Sequence, residues 1–199
     1  MFFARNPKRF WDWFSYHEKE FYDINEENMN QIFDKVVKYL EKYNKYIGFE
    51  FVSELQDGKR ELIVTADGAE ELFETVFNLV NAAPEKLKDR WIFTALRQPS
   101  NQELNINYEG ISIQTKDIFY EIEESEDIPD KWDILLNIKG IKFDRIEQLE
   151  FYEEITYILI EDIIGEYLAG TKIEQIILVN EMDLENPKNI MELRKDIEK

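Results

Sequence analysis

The stretch ELIVTADGAEELFETVFNLVNAAPEKLKDRWIFTAL, residues 61–96, changes its hydrophobic period twice and thereby decides the fold. It begins with the apolar run "ELIVTA" and ends with "WIFTAL", and both runs are typical of strands. Asp67 and Glu70 have the spacing of a capping box, and Pro84 marks the end of the segment between the runs. That segment places apolar residues on one helical face: Leu72, Phe73, Val76, Leu79, Val80 and Ala83. The stretch therefore predicts a strand, a helix and a strand.

A further strand precedes this stretch. In "FEFVSELQDGKR", residues 49–60, Phe49 and Phe51 alternate with Glu50. Asp57 and Gly58 then form a dipeptide that tolerates the positive φ angles of a tight hairpin turn. Residues 47–96 are accordingly predicted to form one β-β-α-β unit.

Two amphipathic helices are predicted before this unit, within residues 1–46. The second includes "NEENMNQIFDKVVKYLEKY", residues 25–43, and the first spans residues 8 to about 22 and contains "RFWDWFSYHEKEF". A helical wheel at 100° per residue gives the first helix an inward stripe and two residues at its edges. The stripe is Phe10, Phe14, His17 and Phe21, with Trp11 and Trp13 at the edges.

The order of elements recurs between residues 117 and 179. "DIFYEIEE" (117–124) and "WDILLNIKG" (132–140) alternate as strands, a long helix follows from about residue 145, and "KIEQIILV" (172–179) closes the unit. Asp144 and Glu147 resemble a second capping box. Gly165 is expected inside the helix near its end, and Gly170 just beyond it as a C-terminal cap or turn.

These patterns predict an α+β fold in a single domain, residues 1–199. Its parts are a helical pair (1–46), a first β-β-α-β unit (47–96), a linker or extra hairpin (97–116), a second unit (117–179) and a C-terminal helix (180–199). Asn186 and Pro187 are predicted to start the last helix, which has an apolar stripe of Ile190, Leu193 and Ile197. The two units form a pseudo-repeat, with a mostly antiparallel sheet and with helices packed on one face.

Composition excludes several kinds of chemistry. The chain has no cysteine, so disulfides, thiolate nucleophiles and cysteine-bound metals are ruled out. Its five serines lie in no G-x-S-x-G elbow, and its glycines form no phosphate-binding loop. No cofactor and no metal site are predicted. The only histidine, His17, lacks the second histidine of an H-E-x-x-H motif and is interpreted as a packing residue rather than a catalytic one.

Net charge points to the class of partner. The chain has 24 Lys and Arg against 43 Asp and Glu, a net charge of −19. Such a charge disfavours binding to nucleic acid and to anionic membranes and favours a basic protein partner. The alternative interpretation, that the negative charge only keeps the protein soluble, stays open. The N-terminus lacks the features of a secretory signal and no apolar run reaches 18 residues, so a cytoplasmic location is expected.

An acidic run lies at the end of the first strand of the second unit. The segment "EIEESED" contains Glu121, Glu123, Glu124, Glu126 and Asp127, which are the candidate partner-binding residues. The run has no calcium-loop pattern, and a solvated strand end is the alternative interpretation.

The pieces "FWDWFSYHEKEFY", "ELIVTADGAEELFETVFNLVNAAP", the "W" at 91 and "IGEYLAGTKIEQI" together resemble an uncharacterised family of acidic bacterial proteins. The resemblance covers most of the chain and implies no activity. In acidity and element order the chain is also similar to the regulator of ribonuclease activity B family of acidic protein inhibitors.

The leading hypothesis is a non-catalytic, acidic protein-binding module, an inhibitor or immunity-type protein that covers a basic partner. One alternative is a carboxylate-dependent hydrolase that acts on a neutral substrate, which requires two acidic residues facing a pocket. Another is a structural or oligomeric protein. The sequence leaves the oligomeric state and the identity of any partner open.

Overall fold

The computed structural model describes residues 6–100, 102–108, 111–142, 146–180 and 183–198. The chain divides into two compact units, Met1–Arg97 and Gln98–Lys199, and each has its own hydrophobic core. The fold is mixed α and β with mostly antiparallel strand pairs, as the sequence predicts. The organisation as one domain with the five segments named above stays a prediction.

The first unit combines three α-helices with a three-stranded sheet. Strand β2 (Arg60–Thr65) lies at the centre, antiparallel to β1 (Gly48–Phe51) and parallel to β3 (Trp91–Ala95). Short 3₁₀ turns at Glu70–Leu72 and Glu85–Leu87 flank the third helix. The elements in chain order are α1 (Pro7–Tyr22), α2 (Met29–Tyr43), β1 (Gly48–Phe51), β2 (Arg60–Thr65), α3 (Phe73–Asn81) and β3 (Trp91–Ala95).

Helix α1 begins one residue before its predicted start and buries a wider stripe than expected. The Asn6 side chain accepts a hydrogen bond from the Lys8 N–H at 2.9 Å, which caps the helix. Phe10, Phe14 and Phe21 are buried. The prediction for Trp11 is wrong: it is only 1% exposed, and its Nε1 donates to the Leu79 carbonyl at 2.8 Å. Trp11 is buried because it contacts α3, so the buried stripe of α1 includes the edge on which Trp11 lies.

His17 is less buried than the wheel predicts. Its side chain is 27% exposed, and its Nδ1 lies 3.3 Å from Oε2 of Glu20. The ring packs against Trp13 and Phe21, with centroids 5.4 and 5.6 Å apart. A polar partner one turn away on the same helix keeps the imidazole at the edge of the core, while Trp13 stacks on Tyr39 at 4.0 Å.

The turn predicted at Asp57 and Gly58 is confirmed, with φ angles of 51° and 77°. The capping box predicted from Asp67 is wrong. Asp67 has a φ of 49°, and the first helical turn begins after Ala69, which makes no side-chain cap. The Asp67 carboxylate instead accepts a hydrogen bond from Arg97 Nη2 at 2.8 Å, so it is engaged by another element.

The second unit combines a hairpin, a four-stranded sheet and three helices. The hairpin predicted as one of two alternatives for residues 97–116 forms from β4 (Asn105–Tyr108) and β5 (Ile111–Gln114). The larger sheet has the order β8 (Ile173–Leu178), β7 (Trp132–Ile138), β6 (Ile118–Glu124), β9 (Lys188–Asn189). The elements are β4 (Asn105–Tyr108), β5 (Ile111–Gln114), β6 (Ile118–Glu124), β7 (Trp132–Ile138), α4 (Ile146–Ile164), α5 (Glu166–Lys172), β8 (Ile173–Leu178), β9 (Lys188–Asn189) and α6 (Leu193–Ile197).

The predicted single long helix of this unit is two helices. Gly165 has φ 87° and ψ 146°, a conformation that only glycine adopts without strain, and it separates α4 from α5. Gly170 lies inside α5 and does not cap a helix, so both glycine predictions are wrong. Asp144, the first residue of the second predicted capping box, lies outside the described residues.

The C-terminal helix begins later than predicted. Lys188 and Asn189 form a short strand that pairs antiparallel with Phe119 and Tyr120 of β6. The cap is supplied by Asn189, whose side chain accepts from the Met191 N–H at 3.1 Å. The predicted stripe is correct, since Ile190, Leu193 and Ile197 are all buried.

Candidate protein-docking surface

The two units differ strongly in charge. Residues 1–97 carry 14 Lys and Arg against 18 Asp and Glu, a net charge of −4. Residues 98–199 carry 10 against 25, a net charge of −15. The acidity that the sequence shows is therefore concentrated in the second unit, and a basic partner would be attracted mainly there.

One face of the four-stranded sheet in this unit forms the core. Side chains alternate between the faces of a strand, so every second residue of β6 and β7 belongs to the core. These core residues include Ile118, Tyr120, Ile134, Leu136 and Ile138, and they pack with residues of α4 and α6.

The opposite face carries acidic residues next to apolar ones. It follows from the strand register that Phe119, Glu121 and Glu123 of β6 lie on this face, as do Asp133 and Leu135 of β7 and Gln175 and Ile177 of β8. None of the three apolar residues belongs to the described core of the unit. Ile177 is 39% exposed, so an apolar side chain on this face is open to solvent.

A like-charge pair lies at the acidic end of this face. Glu123 and Asp133 are directly opposite each other on neighbouring antiparallel strands, an arrangement that is destabilising for two negative charges. Asp133 Oδ2 accepts a hydrogen bond from Gln175 Nε2 at 2.8 Å. Within the described residues Asp133 Oδ1 is buried and has no hydrogen-bond partner. A cationic side chain placed here would relieve the repulsion between the two carboxylates.

We define the acidic sheet face as Phe119, Glu121, Glu123, Asp133, Leu135, Gln175 and Ile177. The five candidate residues of the sequence do not all belong to it. Glu121 and Glu123 do, and the Glu121 carboxylate also accepts a hydrogen bond from the Asn186 N–H. Glu124 lies on the other side of β6, and Glu126 and Asp127 lie in the exposed connection between β6 and β7. Because side chains alternate between the two sides of β6, the residues of the acidic run do not share one face.

Sequence reasoning missed Asp133, Leu135 and Ile177 as members of this face. The alternation in "WDILLNI" and "IEQIIL" contains the signal, because residues between the core positions must point the other way. The register that sets Asp133 beside Glu123 is not visible in either segment alone.

A second polar cluster lies at the edge of the core. The Tyr120 hydroxyl donates to Asp196 Oδ2 at 2.8 Å, and Lys188 Nζ lies 2.5 Å from the same oxygen. Burial, followed by the hydrogen bond to Asp196, raises the pKa of Tyr120 far above its ordinary value. Tyr120 therefore stays protonated and serves as a donor that fixes α6 to the sheet.

Two carboxylates of the second unit are almost completely buried. Glu161 of α4 is 2% exposed and Glu166 of α5 is 0% exposed. Side chains enclosed to this degree are not accessible to a substrate in this conformation. In the described part of the chain, no group of three or more metal-ligating side chains could hold a metal ion.

None of the described helices combines the length and the apolar composition needed to cross a membrane. No protein-family model matches the chain, and neither the curated proteins nor the solved structures include a match.

Proposed function

We propose that the protein is a non-catalytic binding module that covers a basic surface of another protein with the acidic sheet face of its second unit. The observation that carries the proposal is the like-charge pair of Glu123 and Asp133 on a sheet face outside the core. The net charge of −15 in the same unit supplies the long-range attraction.

The composition of the face supports a protein as the ligand. Apolar side chains surrounded by charged ones are the usual arrangement of a binding interface, in which the apolar centre excludes water and the charged rim selects the partner. Leu135 and Ile177 provide such a centre, and Glu121 and Glu123 provide the rim. A ligand that complements this face presents lysine or arginine around an apolar residue.

An inhibitor or immunity-type protein is the form of this function that we favour. Such proteins act by covering a basic active or nucleic-acid-binding surface, for which an acidic face is a competitor. Membership in the family of acidic bacterial proteins, the similarity to regulator of ribonuclease activity B and a cytoplasmic location belong to this proposal.

We also propose that the two β-β-α-β units, residues 47–96 and 117–179, form a pseudo-repeat with their helices on one sheet face. In each unit an antiparallel strand pair is followed by a helical segment and by a strand parallel to the second member of the pair. This common order supports the proposal. On this interpretation the first unit has a sheet face equivalent to the acidic sheet face. The two faces differ because the net charge of the first unit is less negative.

The test is affinity purification from the source cell with the full chain and two charge-reversal variants. Glu123→Lys changes the acidic sheet face, and Glu153→Lys makes the same change of charge at an exposed position of α4. We expect a basic partner that salt releases, that Glu153→Lys retains and that Glu123→Lys loses. Equal retention by both variants, or no salt-released basic partner, would contradict the proposal.

A further inference from the structure

Strand β6 is longer than the strand that pairs with its outer edge. On one side β7 pairs with β6 from Ile118 to Glu124. On the other side β9 pairs only with Phe119 and Tyr120. Residues 122–124 of β6 therefore extend beyond the end of β9.

The backbone groups of Ile122 and Glu124 point to this outer side. The Ser125 N–H donates to the Lys131 carbonyl at 2.9 Å, so residue 125 directs its backbone groups toward the β7 side. The direction alternates along an antiparallel strand, so Glu123 shares the orientation of Ser125, whereas Ile122 and Glu124 have the opposite one. No described residue provides a hydrogen-bond partner for the outward groups of Ile122 and Glu124.

The chain itself leaves this edge just before β9. The Asn186 N–H is bonded to the side chain of Glu121 rather than to the backbone of β6. A shallow hollow remains beside the edge, lined by Ile122, Glu123 and Asn186 among others. The open edge is therefore accessible to an added chain.

We propose that this edge binds an extended, basic segment of the partner protein as an additional antiparallel strand. The inference rests on the proposed function and specifies how the partner is held. The strand would continue the line of β9 along residues 122–124, where backbone hydrogen bonds to Ile122 and Glu124 supply affinity. Lysine or arginine side chains would lie beside Glu121 and Glu123, and apolar ones beside Ile122 on the core face.

Charge selects this ligand over a second copy of the chain. Acidic side chains on an open strand edge prevent pairing with a like-charged edge, a common protection against aggregation. Glu121, Glu123 and Glu124 lie on this edge, within a unit of net charge −15. The same charges attract a basic strand. Pairing between two copies of this edge is therefore disfavoured, and pairing with a segment of opposite charge is favoured.

The first test uses a hexapeptide in which lysine and valine alternate and two forms of it with N-methyl groups. In an antiparallel pair, peptide residues that bond to Ile122 and Glu124 have their side chains on the core face, and these are the valines. N-methylation of the valine amides should weaken binding to the full chain at least about tenfold, because it removes donors that face the edge. N-methylation of the lysine amides should change affinity less than about twofold, since those amides face solvent.

The second test changes the protein. Glu124→Pro removes one outward N–H at a position where an edge strand tolerates proline, and Glu124→Gln removes only the charge. The proline variant should bind the unmodified peptide at least about fivefold more weakly than the glutamine variant, with an unchanged circular dichroism spectrum.

The outcomes separate the two proposals. If the three peptides bind equally and the two Glu124 variants do not differ, strand addition is overturned, while docking on the acidic sheet face stands. If no peptide binds at low salt, strand addition is also overturned. The proposed function then depends on the affinity purification with Glu123→Lys and Glu153→Lys alone.

Discussion

At the scale of single residues, Glu20 is the carboxylate of the first unit with the clearest electrostatic role. Oε1 accepts a hydrogen bond from Lys35 of α2, and Oε2 lies 3.3 Å from His17 Nδ1. The hydrogen bond from Lys35 is the largest cause that lowers the pKa of Glu20. A carboxyl group whose pKa is lower in the folded chain stabilises the fold above its unfolded pKa, and the contribution is lost as the pH falls through the folded pKa.

Glu20→Gln should therefore lower the free energy of unfolding at neutral pH and not in acid. Because the Glu20 side chain is 35% exposed, solvent screening limits the loss to at most about 1 kcal/mol. The difference from wild type should shrink as the pH falls through the lowered folded pKa of Glu20 and disappear once the carboxyl is protonated in both states. Urea unfolding at both pH values measures it, with Glu41→Gln on the exposed side of α2 as the control. A loss that persists in acid would show that packing rather than charge is responsible.

Helix α1 shows which buried positions can be predicted from the sequence and which cannot. A 3.6-residue period suffices to place Phe10, Phe14 and Phe21 inward. It does not place Trp11, because the burial of that ring depends on α3, which lies far along the chain. It misplaces His17 for a related reason, since the polar contact with Glu20 competes with packing.

At the scale of elements, the break between α4 and α5 depends on one backbone conformation. Gly165 adopts φ 87° and ψ 146°, whereas Gly170 has helical neighbours inside α5. Gly165→Ala should lower the free energy of unfolding by about 1–3 kcal/mol, because a Cβ atom strains that conformation. Gly170→Ala is the matched control and should leave stability unchanged or raise it by up to about 1 kcal/mol. Urea denaturation followed by circular dichroism checks both, and the reverse order of effects would contradict the described break.

Elements defined by local patterns are the ones that the sequence predicts well. Alternation predicts β1, β6 and β7. The Asp57-Gly58 dipeptide predicts a tight turn with positive φ angles, which both residues adopt. The two-residue strand β9 is too short to show an alternation of apolar residues, so the sequence does not predict it. It is defined by its pairing with β6. Glycine inside an apolar helical pattern is equally ambiguous, because the pattern continues on both sides of a break.

At the scale of the whole molecule, the candidate site illustrates the same limit. The acidic run is recognisable in the sequence. Strand geometry and register, however, determine which of its residues lie on each side of β6 and that Glu123 lies opposite Asp133. The concentration of charge likewise becomes visible only when the structure supplies the boundary between residues 97 and 98. The sequence thus predicts a basic partner, and the proposal of one sheet as its docking site depends on the strand register.

If the sheet of the second unit binds a basic partner, the amides of its strands should respond to a basic peptide. We expect to observe this response by amide NMR of the full chain, labelled with ¹⁵N, during titration with the lysine-valine hexapeptide at low ionic strength. We predict shifts that cluster in β6, β7 and β8, leave residues 6–97 unchanged and reverse when salt is added. An absence of shifts at the highest peptide concentration would overturn strand addition alone, whereas shifts that cluster within residues 6–97 would contradict a binding site on the sheet of the second unit.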